Sequence, residues 1–430
     1  MIRAMVLMTV ALATSAQGAV RWEEYRVDGN VFQLGRITVP ERRSGDGGRS
    51  IEIAFIRLPA TTETPGPPIV FLNGGPGQAA TPAVRSRFWL SQLDGLRTLA
   101  DVILLDQRGT GQSRPLLSCR DQRPDPARLF TDERQAWASS ITAVRACAQR
   151  LRGEGIDLGA YNTRESANDL EDLRRALGVK TIDLFGFSYG THLGLAAIRQ
   201  HPGSIRRAVL IGTEGPDHTW KLPSTGDVQL RKIALATNAP GFEPALRRVL
   251  RKAAAEPFRV EVSGGEKGKT ITIPVGRSGL QRLLEADLGD SRDFVAFPTL
   301  IAELDRGETA MLTKFVQKRF DQAGGPVELM GRAMDCASSV TPERLARIRT
   351  EAAPALLGNA ANAREEELCE AVGVAALDPS FREPVVSDVP VLFVSGTMDA
   401  NTPPFQAEEV RWGFVNGAHV IVDGAGHEDL

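Results

Sequence analysis

The chain contains six short apolar runs, and each run ends in a glycine-containing turn. Their sequences are PPIVFLNGGPG, DVILLDQRGTG, TIDLFGFSYG, IRRAVLIGTEGP, PVLFVSGTMD and HVIVDGAGH. Because apolar and polar residues do not alternate within the runs, both faces of each strand are expected to be buried. Strands of this kind form parallel sheets that helices cover on both faces. The pattern therefore predicts an α/β fold with a mostly parallel, doubly wound sheet.

The segments that flank these runs have patterns of their own. Residues 21–40 and 49–60 are rich in β-branched side chains and are separated by the turn SGDGG, which predicts an antiparallel hairpin. Residues 166–177 have helical spacing behind a candidate N-cap, Ser166, and residues 191–199 continue as a helix from the FSYG turn.

The alternation of strands and helices stops after Pro216 and resumes near Val389. The intervening segment is mostly helical in pattern, with one hairpin. We interpret residues 217–387 as an inserted helical cap between two core segments, residues 20–216 and 388–430. This organisation agrees with the length of 430 residues, since a single hydrophobic core stops growing at roughly 250–300 residues.

The first nineteen residues have the layout of a secretory signal peptide. A positive charge at Arg3 precedes an apolar run at 4–13 and a small-residue segment at 14–19. The run is shorter than the roughly 20 residues that span a bilayer, so a stable membrane anchor is not predicted. Residues 1–19 therefore predict export to the periplasm or secretion.

Composition narrows the choice of partners. The chain has 51 Lys and Arg residues against 53 Asp and Glu residues, a net charge of -2, which offers no electrostatic basis for binding nucleic acid. Hydrophobic residues make up 42% of the chain, too many for an intrinsically disordered protein. The sequence leaves the oligomeric state open.

Four cysteines form an even set without a CxxC pair or a histidine cluster at metal-binding spacing, so no metal site is predicted. In an oxidising compartment they predict two disulfides, for which three pairings exist, and four buried free thiols are the alternative. We favour Cys119 with Cys147 and Cys336 with Cys369. Each bond would close a local loop of roughly 30 residues, which stabilises by about 3–4 kcal/mol in the chain-entropy model.

The pattern G-x-S-x-G occurs once in a strand–turn–helix context, as GFSYG around Ser188. The two glycines allow a tight turn that exposes the Ser188 hydroxyl at the carboxyl end of the sheet. The structural alternative is an ordinary Gly/Ser turn. The position directly after an apolar run and before a helix favours a nucleophile.

A serine hydroxyl attacks efficiently only when a base accepts its proton and a carboxylate orients that base. His427 follows the last apolar run in GAGHED, and Asp399 follows the preceding run in VSGTMDANTP. These positions predict a triad of Ser188, Asp399 and His427, with Asp423 as a fallback acid. His192 is interpreted as a structural residue near the site.

An acyl-transfer site also needs hydrogen-bond donors for the oxyanion. The backbone N–H of Tyr189, the residue after the nucleophile, is one expected donor. The turn NGGPG after the first parallel strand is expected to supply the other, and we assign it to Gly74, with Gly75 close behind.

The motifs NGGPG, DQRGTGQS, YNTRESANDLEDLRRALG, GFSYGTHLGL, SGTMDANTP and GAGH together resemble the exported proline iminopeptidase and tripeptidyl aminopeptidase branch of the α/β-hydrolase superfamily. The resemblance covers the two predicted core segments and implies an α/β-hydrolase fold. It implies a serine exopeptidase that acts at peptide N-termini with the predicted triad and needs no metal or organic cofactor. Asn73 stands where many proline iminopeptidases have histidine, which favours the tripeptidyl branch.

Members of this family usually continue into a closing helix, whereas only three residues follow His427. We therefore expect the chain to be a fragment. The number of residues released per cleavage and any preference for proline stay open.

A small peptide with a free N-terminus is the expected substrate, and its amino group calls for a carboxylate near the site. Glu214, in the turn IGTEGPD, is the first candidate and Asp335 the second. The alternatives are an esterase or amidase acting on small acyl substrates, because the triad chemistry is the same, and a binding protein without catalytic activity.

Overall fold

The computed structural model describes residues 19–44, 48–131, 133–264, 269–323 and 325–430. Of the predicted signal peptide only Ala19 belongs to this part of the chain, and the centre of the SGDGG turn, residues 45–47, lies outside it. The strands are β1 Arg21–Val27, β2 Asn30–Pro40, β3 Ser50–Leu58, β4 Ile69–Leu72, β5 Val102–Asp106, β6 Ser118–Cys119, β7 Ile182–Phe187, β8 Ile205–Ile211, β9 Phe258–Ser263, β10 Thr270–Val275, β11 Val327–Glu328, β12 Val391–Gly396 and β13 Gly417–Val422.

The helices are α1 Arg87–Arg97, α2 Glu133–Gly153, α3 Thr163–Ala176, α4 Tyr189–Gln200, α5 Pro223–Ala236, α6 Phe242–Ala255, α7 Arg277–Asp287, α8 Ser291–Phe294, α9 Phe297–Arg306, α10 Ala310–Ala323, α11 Leu329–Ser338, α12 Pro342–Ala352, α13 Glu365–Val372 and α14 Pro404–Arg411. No helix in the described ranges is both long enough and apolar enough to cross a membrane.

A large sheet with the strand order β1-β2-β3-β5-β4-β7-β8-β12-β13 runs through the molecule. The strands predicted from the apolar runs are β4, β5, β7, β8, β12 and β13, and each runs parallel to its neighbours in this set. Strands β1 to β3 add an antiparallel edge, because β3 pairs antiparallel with β5. The predicted mostly parallel α/β sheet is confirmed.

The N-terminal region contains three strands where the sequence predicts a two-stranded hairpin. Residues 21–40 themselves form a hairpin, β1 with β2, in which Val27 pairs with Asn30. The turn residues Asp28 and Gly29 have φ angles of 48° and 80°. Asp-Gly is typical of the two-residue turn that matches strand twist, so this dipeptide carried the signal that the prediction missed.

Helix α3 begins three residues before the predicted N-cap. The side chain of Asn162 accepts a hydrogen bond from the backbone N–H of Glu165, which satisfies one of the free donors at the helix start. Ser166 lies within the first turn and is buried. The predicted N-cap at Ser166 is therefore wrong, and Asn162 has that role.

Two of the four clusters of buried apolar side chains in the described residues matter for the helices between β8 and β12. One joins the sheet to α2, α3 and α4, and it also takes in Leu329, Met334 and Leu368 from α11 and α13. The other lies among α5 to α10 and the β9–β10 hairpin, all between β8 and β12. The helices between β8 and β12 thus differ: α5 to α10 form a core of their own, whereas α11 and α13 pack against α2 and α3 in the core that includes the sheet.

The two disulfides join Cys119 to Cys147 and Cys336 to Cys369, which is the predicted pairing. Both bonds support the surroundings of α11. The second bond ties α11 to α13, and Cys119 lies in β6, which pairs with β11 immediately before α11. The position of α11 is thus constrained by a disulfide at Cys336 and, at its start, by strand pairing to a β6 that is itself tied to α2.

Helix α4 packs directly on β4 through Gly190, where an added Cβ would lie 1.9 Å from the carbonyl oxygen of Leu72. Since that neighbour is backbone, we expect Gly190→Ala to lower the free energy of unfolding by about 3 kcal/mol, measured by urea denaturation. Gly194→Ala is the matched control in the same helix. Its nearest neighbour is a side-chain methyl of Leu210 at 3.1 Å, so its loss should stay within about 1 kcal/mol. Equal losses would contradict the close-contact argument.

Candidate active site

Ser188 lies at the sharp turn between β7 and α4. Its φ of 53° is unusual for a residue with a side chain, and its N–H donates to the carbonyl of Ile211 at 2.9 Å. A Cβ on Gly186 would lie 2.8 Å from the carbonyl oxygen of Gly190, so the turn closes only with glycine at this position. The turn leaves the side chain of Ser188 partly exposed at the carboxyl edge of the sheet.

The structure brings Ser188, His427 and Asp399 into one chain of hydrogen bonds. The Ser188 Oγ and His427 Nε2 atoms are 3.0 Å apart, and His427 Nδ1 and Asp399 Oδ2 are 2.9 Å apart. The three residues follow β7, β12 and β13, whose carboxyl ends lie at the same edge because the strands are parallel. Asp399 and His427 are both buried, which strengthens their electrostatic interaction.

Thr402 completes the surroundings of Asp399, and sequence reasoning missed it. Its Oγ1 donates to Asp399 Oδ2 at 2.7 Å and lies 3.1 Å from His427 Nδ1. The N–H groups of Asn401 and Thr402 donate to Asp399 Oδ1 at 2.8 and 2.9 Å. The D-x-x-T spacing was the available signal, since a carboxylate at a turn accepts hydrogen bonds from residues two and three positions later.

These contacts shift the pKa values of the pair in opposite directions. Burial by itself raises the pKa of Asp399, but the charge of His427 and the hydrogen bonds of His427 and Thr402 outweigh it, so the pKa is lowered. Burial by itself lowers the pKa of His427, but the charge and hydrogen bond of Asp399 outweigh it, so the pKa is raised above 6.5. The pair therefore favours an anionic Asp399 beside an imidazole that is more basic than that of a free histidine.

Tyr189 and Gly74, the two predicted sources of oxyanion donors, lie next to Ser188, but their backbone N–H groups differ in hydrogen bonding. Tyr189 is the first residue of α4, where a backbone N–H has no intrahelical partner. Gly74 packs on the nucleophile, since an added Cβ would lie 3.0 Å from Ser188 Cβ. However, the Gly74 N–H donates to Asn73 Oδ1 at 2.8 Å, whereas the Gly75 N–H makes no hydrogen bond within the described ranges. Gly74 can serve an oxyanion only if Asn73 releases it.

The other histidines and the fallback acid lie apart from the triad. Buried His192 has its ring nitrogens near the carbonyl of Gly215 and the hydroxyl of Ser338. Asp423 is exposed, and its carboxylate accepts from Thr397 at 3.0 Å, not from His427. Among the residues that the structure describes, no group of three His, Cys, Asp or Glu side chains is arranged to hold a metal ion.

The segment between β8 and β12 holds two of the loops that carry the triad. From α5, Gln229 Nε2 donates to the carbonyl of Met398 and Lys232 Nζ to that of Thr397, both at 2.6 Å. Gly289 packs on the other loop, where an added Cβ would lie 3.2 Å from His427 Cβ. The turn that carries Asp399 is thus held by residues that are 169 and 165 positions away from it in the sequence.

Glu214 and Asp335, the two candidate amine-binding residues, are in unlike environments. Glu214 is buried, and its Oε2 accepts a hydrogen bond from Lys221 Nζ at 2.6 Å. Asp335 lines a cavity bounded by the oxyanion turn, residues 109–111 and the start of α11.

Comparison with known proteins agrees with the fold. Residues 67–238 match the family model described as alpha/beta hydrolase fold, and residues 353–430 match the model described as TAP-like protein. The chain belongs to the α/β-hydrolase superfamily.

This α/β-hydrolase is similar to several bacterial peptidases. It is 29% identical over 232 residues to tripeptidyl aminopeptidase of Streptomyces coelicolor, covering 49% of this chain and 41% of that protein. It is 29% identical over 191 residues to serine protease Hip1 of Mycobacterium tuberculosis, covering 43% and 36%. It is 30% identical over 147 residues to the probable proline iminopeptidase of Streptomyces coelicolor, covering 34% and 33%. The chain thus matches less than half the length of each relative.

Thr402 provides a first test of the site. We expect Thr402→Val to lower kcat/KM about tenfold, because an isosteric side chain that cannot donate leaves buried Asp399 Oδ2 short of one hydrogen bond. Thr402→Ser keeps the hydroxyl and should stay within about threefold of the unmodified protein. Steady-state kinetics on a chromogenic substrate measures both variants. Equal loss in both variants would show that the methyl group, not the hydroxyl, matters.

The pH profile provides a second test. The base must be neutral to accept a proton, and its pKa is raised, so kcat/KM should increase with pH with a midpoint above 6.5. Asp399→Asn should shift that midpoint to lower pH and reduce the rate. Asp423→Asn is the control and should leave the midpoint unchanged, because Asp423 contacts Thr397. A shifted midpoint in Asp423→Asn would show that Asp423, and not Asp399, is the acid that acts on His427.

Proposed function

We propose that this α/β-hydrolase is an exported serine aminopeptidase that hydrolyses peptide bonds near the N-terminus of short peptides. The observation that carries the proposal is the hydrogen-bonded chain Ser188, His427, Asp399 at the carboxyl edge of the sheet. Similarity to proteins named tripeptidyl aminopeptidase and proline iminopeptidase supports a peptide as the substrate. The two disulfides support an oxidising compartment.

In the proposed reaction Ser188 Oγ attacks the carbonyl carbon of the scissile bond while His427 Nε2 accepts the hydroxyl proton over 3.0 Å. The oxyanion of the tetrahedral intermediate takes hydrogen bonds from the N–H of Tyr189 and from the Gly74–Gly75 turn. His427 then gives the proton to the leaving amine, and an acyl-enzyme remains on Ser188. Water then attacks the acyl carbonyl carbon while His427 Nε2 accepts a proton from it. The Ser188 oxygen leaves and takes that proton back, and the N-terminal fragment is released.

Asp399 and Thr402 prepare the imidazole for this cycle. The Asp399 carboxylate holds the proton of His427 on Nδ1, so that Nε2 faces the nucleophile as the acceptor. When His427 becomes cationic, the buried anion stabilises that charge at short range. The three hydrogen bonds from Asn401 and Thr402 keep the Asp399 carboxylate ionised and fixed in orientation.

A labelling experiment tests the nucleophile. We expect a fluorophosphonate probe to label the unmodified protein and not Ser188→Ala. Hydrolysis by the variant should fall by at least about 10³-fold, as for other enzymes that lose a triad serine. Equal labelling of both proteins, or no labelling of either, would sink the proposed mechanism.

The substrate class is tested by incubating the protein with a defined peptide mixture and weighing the released fragments by mass spectrometry. Release of single N-terminal residues or of tripeptides supports an aminopeptidase. Hydrolysis of small acyl esters alone, with Ser188 labelled, would contradict the peptidase assignment and favour an esterase.

A further inference from the structure

The carboxylates of Glu214, Asp335 and Glu365 lie close enough beside α11 to act on one another, and two of them already have cationic partners. Glu214 Oε2 accepts from Lys221 Nζ at 2.6 Å, and Lys221 also donates to the carbonyl of His218 at 3.2 Å. Glu365 Oε1 accepts from Arg332 Nη1 at 2.5 Å, and its other oxygen has no hydrogen-bond partner in the described part of the chain but is buried away from solvent. Neither carboxylate is therefore available to a new cation without the loss of an existing ion pair.

Asp335 is the exception. Its carboxylate forms no hydrogen bond and no ion pair with any residue in the described ranges, although the side chain is only partly exposed. The side chain lines the cavity beside Gly75 and Gly77 of the oxyanion turn, and Arg120 and Glu328 line other parts of that cavity. A ligand in the cavity can therefore reach this carboxylate, which accepts no hydrogen bond from the described residues.

Asp335 also lies one helical turn after Gly331 on α11, and Gly331 packs on the oxyanion turn. An added Cβ on Gly331 would lie 2.5 Å from the carbonyl oxygen of Pro76. The disulfide at Cys336 and the pairing of β11 with β6 hold this part of α11 in place. The carboxylate is therefore held on a fixed helix that packs against the oxyanion turn, and it lines the same cavity as Gly75 and Gly77.

The surroundings make an unpartnered anion costly. Burial raises the pKa of Asp335 well above its usual value, and the negative charges of Glu365 and Glu214 raise it further, while Arg332 and Lys221 offset part of the effect. A ligand cation that paired with Asp335 would recover this free energy. With Asp335 ionised, the three carboxylates and two cations of the cluster leave one negative charge.

We propose that Asp335 receives the α-ammonium group of the peptide substrate, and that Lys221 and Arg332 keep Glu214 and Glu365 from competing for it. The inference rests on the proposed aminopeptidase function and names the residue that selects a free N-terminus. One ammonium balances the single uncompensated charge of the cluster. A substrate with a blocked amine leaves that charge uncompensated, so discrimination arises from binding.

The experiment compares one chromogenic peptide with a free amine and with its N-acetylated form. The measured quantity is the ratio of kcat/KM for the free form to that for the blocked form. Asp335→Asn keeps the shape and removes the charge, so we expect the ratio to fall by about 10- to 100-fold, the value of one charge-assisted hydrogen bond. Asp335→Glu restores the charge and should recover part of the ratio.

Two comparison variants separate a specific role from a general one. Glu328→Gln removes a carboxylate from the same cavity that already accepts a hydrogen bond from Ser118 at 2.7 Å, and it should leave the ratio within about twofold. Glu214→Gln removes the predicted alternative acceptor. A fall of the ratio in Glu214→Gln without one in Asp335→Asn would overturn the inference in favour of Glu214.

The pH dependence adds a readout that a merely structural role would not change. In the unmodified protein the ratio should rise as Asp335 ionises and fall again near pH 8, where the substrate amine loses its proton. Asp335→Asn should lack the rising limb. A rising limb that persists in the variant would overturn the assignment.

The failure of this inference can be told from failure of the proposed function. If the unmodified protein reacts with a fluorophosphonate at Ser188 but cleaves both peptides equally, the ammonium site is wrong and the serine hydrolase remains. If Ser188 does not react at all, the proposed function itself fails.

Discussion

The contact of α4 with β4 and β7 is the constraint on which the rest of the site depends. Gly186 and Gly190 let the helix start almost on top of the strands, where an added Cβ would lie 2.8 Å from the Gly190 carbonyl oxygen or 1.9 Å from that of Leu72. The chain reverses within this space only if Ser188 takes a positive φ, which costs of order 1–3 kcal/mol. Burial of the apolar strands offsets that cost, and the result is a serine presented at the sheet edge.

The strands and the triad were predictable from the sequence because one physical pattern locates both. A parallel strand buried on both faces appears as a continuous apolar run, and the carboxyl ends of such strands share an edge, so residues placed directly after the runs meet. Ser188, Asp399 and His427 each follow a run. The Asp-Gly turn at residues 28–29 and the Asn162 cap also have recognisable sequence signals. The prediction missed the turn and placed the cap at Ser166, which was wrong.

The supporting contacts of the site were not predictable in the same way. Gln229 and Lys232 donate to the turn before Asp399 from a helix whose own sequence carries only an amphipathic pattern. Gly289 faces His427 from an irregular turn. These residues meet the site because of how the helices between β8 and β12 pack, and no local spacing encodes that packing. Those helices therefore hold the loops of Asp399 and His427 in position as well as cover the triad.

The charges around the site also have to agree with the chemistry of the base. His427 accepts a proton only when neutral, and every uncompensated negative charge nearby raises its pKa, as Asp399 already does. The charge of Lys221 acts in the opposite direction on His427, and the same Lys221 neutralises Glu214. Lys221 thus offsets part of the effect of Asp399 on the pKa of His427 and at the same time pairs with Glu214, which separates Glu214 from the unpaired Asp335 as a partner for a ligand cation.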